Sequence, residues 1–148
     1  TIVKPRPDFK QPFPDGSFDS VYTSHVLEHV EDPELLVLES LRLARKVACH
    51  LVPINLDNPG HIHFFRWGHV DNEYRAQEAD IDLAIFCEGI ARHRAERKQP
   101  VTFEISVVCP RDGSIDASGD KFPIKRIDRP DGLMPCFLIQ FTKQTGTG

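Results

Sequence analysis

The pattern that most constrains the fold is a strand, a helix and a second strand close together in the chain. Residues 18–26 (FDSVYTSHV) are rich in β-branched and aromatic side chains and predict a strand. Asp32 before Pro33 predicts the start of a helix that continues through residues 34–46, because Asp is a favoured N-cap and Pro suits the first helical position. Residues 47–52 (VACHLV) then predict a buried strand. Such a βαβ unit is right-handed and its strands are parallel.

The second half of the chain predicts one more helix and two more strands. Residues 73–98 have helical character, and Pro100 ends them. Residues 101–109 and 135–143 are apolar and β-branched enough to form strands. No linker demands a split, so residues 1–148 are expected to form a single α/β domain.

Apolar residues at helical spacing predict which face of each helix is buried. In the first helix these residues are Leu35, Leu38 and Leu41. In the second helix they are Ile81, Ala84, Ile85, Ile90 and Ala91, with Glu88 on the same side.

Charge and composition exclude some classes of function. The formal net charge of −4 argues against a dedicated nucleic-acid or anionic-membrane binder, which needs a basic face. The one basic run, residues 92–98 (RHRAERK), is interpreted as the solvated end of a helix, where cations complement the dipole. No apolar run approaches the roughly 18 residues that span a bilayer. The four cysteines are widely spaced, which predicts free thiols in a reducing compartment, the cytoplasm.

Several motifs follow one another over nearly forty residues. They are Asp8, residues 12–19 (PFPDGSFD), residues 27–36 (LEHVEDPELL), and then Glu39 and Arg42. In this order they resemble the middle of a class I S-adenosylmethionine-dependent methyltransferase. The resemblance implies that residues 18–26 are the fourth strand of that family's sheet. The expected fold is therefore a partial Rossmann-like methyltransferase sheet, with one parallel βαβ unit, an antiparallel strand pair and flanking helices.

The resemblance also implies site residues. Asp8 matches the carboxylate that accepts a hydrogen bond from the adenine amino group, and Phe9 is expected to pack on the adenine. Ser24 and His25 lie at the carboxyl end of the fourth strand, where open α/β sheets bind ligands, and are expected to contact the cofactor. His25 and His29 are the candidate catalytic residues, since a neutral imidazole there accepts a proton from a hydroxyl nucleophile. The alternative is that both side chains hydrogen-bond to free backbone groups at the turn between strand and helix. Methyl transfer itself mainly requires alignment of the reactants.

The glycines depart from the family pattern. All nine lie at residue 16 or later, and none belongs to a GxGxxG motif that would hold the cofactor. The chain is therefore expected to be the second half of a truncated or split methyltransferase domain. Alone it should be inactive and bind S-adenosylmethionine weakly or not at all, and it should methylate a small molecule only when complemented.

A strand that lacks its neighbour invites pairing with another chain. The sequence therefore predicts a homodimer joined along residues 18–26, or a complementing chain at that edge. The alternative function is a non-enzymatic oligomerisation or small-ligand-binding module that retains the methyltransferase scaffold.

Two further groups of polar residues have simpler interpretations than a site. His61, His63 and His69 suggest a metal site, but no Cys, Asp or Glu completes a known ligand spacing, so packing in a loop is favoured and no metal is expected. The acidic run at residues 28–34 is interpreted as negative charge that stabilises the N-terminus of the helix.

Overall fold

The computed structural model describes residues 9–54, 62–67, 81–108, 115–116 and 136–144. The strands are β1 (Phe18–Ser24), β2 (Ala44–Pro53), β3 (Phe65–Arg66), β4 (Ile81–Asp82), β5 (Val101–Val108), β6 (Ile115–Asp116) and β7 (Cys136–Lys143). The helices are α1 (Pro33–Leu43) and α2 (Leu83–Glu96), and a single 3-10 turn covers Leu27–His29. The first helix was predicted to continue to residue 46, but it ends at Leu43, because Ala44 begins β2. The second was predicted over residues 73–98, but it covers only Leu83–Glu96, since Ile81–Asp82 form β4; its predicted part before residue 81 lies outside the described residues.

Five of these strands form one sheet in the order β1-β2-β7-β5-β6. Strands β1 and β2 are parallel, and β7 runs antiparallel to both β2 and β5. Strands β3 and β4 form a separate parallel pair of two residues each. The expected βαβ unit and antiparallel strand pair are both present, which confirms the predicted α/β class.

The N-cap of α1 is the residue that the sequence predicted, but the buried face of this helix differs from the predicted one. The side chain of Asp32 accepts a hydrogen bond from the backbone N–H of Leu35 at 3.1 Å, as an N-cap should. Leu41 is fully buried as predicted and Leu38 is half-buried, but Leu35 is 39% exposed. The predicted stripe was therefore wrong at Leu35, and the buried face also includes Val37 and the polar Ser40.

The predicted face of α2 was correct only in part. Ile90 is buried as predicted and Ala84 and Ala91 are half-buried, whereas Ile85 is 67% exposed and Glu88 is also exposed. The buried residues are Leu83, Cys87, Ile90 and Arg94. The last buried residue of α2 is therefore a charged one, Arg94, and the spacing of apolar residues could not predict its burial.

The two faces of the sheet differ in how well they are covered. One row of paired residues lies under the helices. It begins with the half-buried Thr23 of β1, and its other members are buried: His50, Ile139 and Ile105. The adjacent row lies on the other face, because successive side chains alternate, and its members are half-buried or exposed: Tyr22, Cys49, Gln140 and Glu104. The helices thus pack against one face of the sheet.

Within the described part of the chain, no helix is both long and apolar enough to cross a membrane. The thiols of Cys49 and Cys87 are free, as expected, and Cys87 is fully buried. Cys109 lies outside the described residues.

Candidate active site

The candidate site is the sharp turn that follows β1. The backbone N–H of His25 donates to the carbonyl of Leu51 at 2.9 Å, which extends the contact with β2 by one residue. His25 has a left-handed backbone with φ of 57°, an uncommon conformation for a residue other than glycine. The 3-10 turn at Leu27–His29 follows at once. This path leaves the side chains of Ser24, His25 and His29 exposed and buries Leu27 and Glu28.

Glu28 is a buried carboxyl group inside this turn. Its side chain is fully buried, and neither of its carboxyl oxygens has a hydrogen-bond partner. One of these oxygens lies 4.0 Å from Nδ1 of His25, whose side chain is 44% exposed. Burial raises the pKa of Glu28, while His25 and His29 act in the opposite direction. The turn therefore combines an exposed imidazole with a carboxyl group that burial drives toward its neutral form.

The segment at residues 62–67 covers the turn. The backbone carbonyl of Glu28 accepts hydrogen bonds from the N–H of Ile62 at 2.7 Å and from the N–H of His63 at 3.2 Å. Phe65 in the same segment is buried in the core. Backbone hydrogen bonds thus join a segment distant in sequence to the turn that contains Glu28.

Interpreting the whole acidic run at residues 28–34 as helix-terminal charge was therefore wrong for Glu28. Asp32 serves as the cap, and Glu31 and Glu34 are exposed, but Glu28 faces the interior. The motif pattern grouped Glu28 with the other acidic residues of the run, and its burial became evident only from the tertiary structure.

Of the predicted site residues, Ser24, His25 and His29 lie together on the turn at the carboxyl end of β1. Asp8 lies outside the described residues. Phe9 is half-buried and has a left-handed backbone, with φ of 58°. The chemical roles assigned to these residues stay predictions.

The loop after Phe9 is held by Arg42, in the last turn of α1. The Arg42 guanidinium donates to the carbonyl oxygens of Gln11 at 3.0 Å and Phe13 at 2.8 Å, and to the Asp15 carboxylate at 2.9 Å. It also pairs with Glu39, one turn earlier in α1. The Glu39 and Arg42 positions of the motif thus anchor the loop that leads from Phe9 into β1.

Among the residues that the structure describes, no group of three His, Cys, Asp or Glu side chains could hold a metal ion. The ring Nε2 of His63 lies 3.3 Å from the carbonyl oxygen of Glu31, and His61 and His69 lie outside the described residues.

Comparisons with known proteins agree with the motifs. A family profile described as a methyltransferase domain matches residues 6–49, a range that includes the Phe9 loop, β1 and the turn after it. No curated protein matches the chain.

A solved structure shares the fold. It is a SAM-dependent methyltransferase from Thermotoga maritima, described as a possible histamine N-methyltransferase, with 14% sequence identity and a TM-score of 0.50. The match covers 97% of this chain and 64% of the other chain, so the present chain spans less than two thirds of that protein. Together, the profile over residues 6–49 and the shared fold confirm the resemblance to class I S-adenosylmethionine-dependent methyltransferases that the motifs indicated.

Proposed function

We propose that this chain forms the acceptor side of an S-adenosylmethionine-dependent methyltransferase, and that it methylates a small molecule when the rest of the cofactor pocket is supplied. The observation that carries the proposal is the turn after β1, where the exposed His25 lies 4.0 Å from the buried Glu28 carboxyl group. This turn falls inside the segment that matches the methyltransferase profile. It also lies at the carboxyl end of a parallel strand, where α/β proteins bind ligands.

His25 is proposed to accept a proton from the methyl acceptor. Because Nδ1 of His25 is the ring atom close to Glu28, Nε2 is the atom left to face a ligand. A neutral Nε2 accepts a hydrogen bond from a hydroxyl or amine and receives its proton as the nucleophile becomes positively charged. At 4.0 Å from Nδ1, the Glu28 carboxyl group is proposed to act on His25 electrostatically and not through a hydrogen bond. When bound, S-adenosylmethionine supplies the methyl group.

The residues of the chain fit only one side of the cofactor. Phe9 offers an aromatic ring for the adenine, and the turn after β1 offers polar groups. The sequence contains no GxGxxG motif to hold the methionine part. Each buried hydrogen bond that is missing costs about 1–3 kcal/mol, so a few of them weaken binding by several orders of magnitude. Those contacts are proposed to come from residues outside these 148.

Two features of the sheet support a complementing segment. Within the described residues, β1 pairs with β2 alone, so its other edge has backbone groups available for a further strand. Tyr22 of β1 is 60% exposed, and Cys49 beside it is only half-buried. A segment that paired with β1 and covered this face would bury apolar surface. A second copy of the chain is the other occupant proposed for the same edge.

Calorimetric titration with S-adenosylhomocysteine tests the proposal. The 148-residue chain should give no saturable heat at micromolar concentrations. The reading frame upstream of the Thr1 codon should encode a strand followed by a Gly-rich turn, and a protein extended to include them should bind S-adenosylhomocysteine. His25→Ala in that longer protein should lower the rate of methyl transfer by about 100-fold or more, and should weaken S-adenosylhomocysteine binding much less, since His25 is one of several expected cofactor contacts.

Two results would contradict it. Tight binding by the 148-residue chain alone would remove the need for a complementing segment. An upstream frame without a Gly-rich turn, together with no binding by either protein, would favour the alternative, a non-enzymatic binding or oligomerisation module.

A further inference from the structure

A second candidate site lies at the opposite end of the strands from the turn after β1. A cavity of about 220 Å³ lies between the end of α2, the start of β5 and the end of β7. Among the described residues that line it, Arg94, Lys98 and Lys143 are basic and none is acidic.

Arg94 is the unusual member of this group, because its side chain is only 8% exposed. Its Nε donates to the carbonyl of Gln99 at 3.3 Å. The four N–H donors on its two terminal nitrogens have no ion-pair partner among the described residues. Because Arg94 lines the cavity, its terminal N–H groups are available to an anion bound there. Burial lowers the pKa of Arg94, which reflects the cost of holding this charge away from water.

The backbone around the cavity brings the two lysines to the same place. Lys98 has a left-handed backbone, with φ of 58°, and its N–H donates to the carbonyl of Ala95 at 3.0 Å. This tight turn reverses the chain after α2. Lys143 pairs with Val101 at the start of β5, so it lies across the cavity from the turn. The pKa of Lys143 is lowered by burial and by the charge of Arg94.

Among the described residues, this positive charge is only partly offset. Asp15 acts electrostatically on both Arg94 and Lys143, but its carboxylate is hydrogen-bonded to Arg42. The dipole of α2 accounts for exposed basic residues at the helix end, and not for a buried arginine that faces a lysine from another strand. The cluster is also locally basic in a chain whose formal net charge is −4.

We propose that this cavity binds a phosphate group, either inorganic phosphate or the phosphate monoester of a small molecule. The fork of an arginine side chain matches two phosphate oxygens, and two lysines add point charges around a dianion. The site is separate from the proposed methyl-transfer site, and its test requires no cofactor.

Titration of the purified chain with inorganic phosphate, at ionic strength held constant with chloride, tests the inference. We expect saturable binding, a rise in the midpoint of thermal unfolding and broadening of the phosphorus-31 resonance. Lys143→Met and Lys98→Met should each weaken binding about ten-fold, which corresponds to roughly 1.4 kcal/mol. Arg92→Met is the matched control, because Arg92 is exposed on the same helix and does not line the cavity.

A second ligand identifies the source of the phosphate, and a conservative variant of Arg94 controls for misfolding. Glycerol 3-phosphate that binds more tightly than inorganic phosphate would assign the site to a phosphorylated small molecule, and equal affinity would assign it to free phosphate. Arg94→Lys retains the charge and removes the fork, so weaker binding by a folded variant supports the role of Arg94. If this variant does not fold, the two lysine variants decide. No saturable binding, an equal response to acetate, or an equal loss in Arg92→Met would overturn the inference.

Discussion

The Thr23 hydroxyl lies 2.6 Å from Nδ1 of the buried His50 ring, and this contact joins β1 to β2 through side chains. On the other side of the ring, Nε2 lies 3.0 Å from the Ser40 hydroxyl. Because Ser40 donates its own hydrogen to the carbonyl of Val37 at 2.6 Å, it accepts from Nε2–H. His50 is therefore neutral, with its proton on Nε2, and Thr23 donates to Nδ1. The ring connects α1 with both parallel strands.

We expect this ring to make folding stability depend on pH. Burial lowers the pKa of His50 from 6.5 to about 4. The unfolded chain binds a proton more readily than the folded chain in this range. The His50 contribution is thus fully present above pH 6.5 and is lost as the pH falls toward 4. The loss is on the order of 3 kcal/mol, and urea unfolding at a series of pH values measures it.

The variant His50→Gln cannot titrate, so its unfolding free energy should change less between pH 6.5 and pH 4. An unchanged slope in this variant would assign the pH dependence to other groups.

Replacing Glu28 with an apolar side chain should stabilise the fold. Its carboxyl group is buried without a hydrogen-bond partner, and its pKa is raised. For an acid with a raised pKa, the stability contribution is present below the unfolded pKa and is lost as the pH rises through the folded pKa. Glu28→Met should therefore raise the unfolding free energy by about 1–3 kcal/mol, and by more at pH 8 than at pH 4.5.

Glu31→Met is the control for Glu28, because Glu31 is exposed in the same acidic run. Thermal unfolding at both pH values should show little change in it. A destabilised Glu28→Met protein would mean that the carboxyl group has a stabilising role in the fold. Stabilisation would instead mark a position kept for function at a cost in stability.

The hydrogen bonds of Arg42 to the 9–16 loop should contribute far more to the free energy of unfolding than an exposed ion pair does. Arg42→Lys retains the charge but loses the fork that reaches the carbonyls of Gln11 and Phe13, so we expect a loss of about 1–3 kcal/mol in urea unfolding. Arg45→Lys is the matched control, since Arg45 pairs with Asp19 where both side chains are exposed, and it should change stability by less than about 1 kcal/mol. Equal effects would show that the 9–16 loop does not depend on Arg42.

Association along β1 should be sensitive to charge at its exposed face. If two copies, or a complementing segment, pair at this edge, Tyr22→Lys should weaken the assembly, because edge lysines oppose strand pairing. Ile85→Lys places the same charge at an equally exposed apolar residue on α2 and should leave association unchanged. Light scattering coupled to a sizing column measures the mass. A wild-type chain that stays monomeric at high concentration would contradict the homodimer.

Local signals were enough to predict the elements that bracket the site. The β-branched run at residues 18–26 predicted β1, Asp32 and Pro33 predicted the start of α1, and the apolar run ending at Pro53 predicted β2. These signals depend on propensity and capping, which operate over a few residues. The motif order also predicted the family resemblance, and with it the position of Ser24 and His25 at the end of β1.

The burial of polar side chains could not be predicted in this way. The apolar spacing predicted that Leu35 and Ile85 are buried, but both are exposed. The polar residues Ser40 and Arg94 are buried on the same two helices. A polar side chain can be buried where a residue distant in sequence forms a hydrogen bond with it, or where it lines a cavity. His50 provides that partner for Ser40, and the cavity beside β7 receives Arg94.

The sequence by itself determined which segments become strands and helices and which family they resemble, because these properties are written in neighbouring residues. Only the tertiary structure decided that Glu28, His50 and Arg94 lie inside. The free energy of a buried polar group depends on what segments far along the chain place around it, and that arrangement exists only after folding.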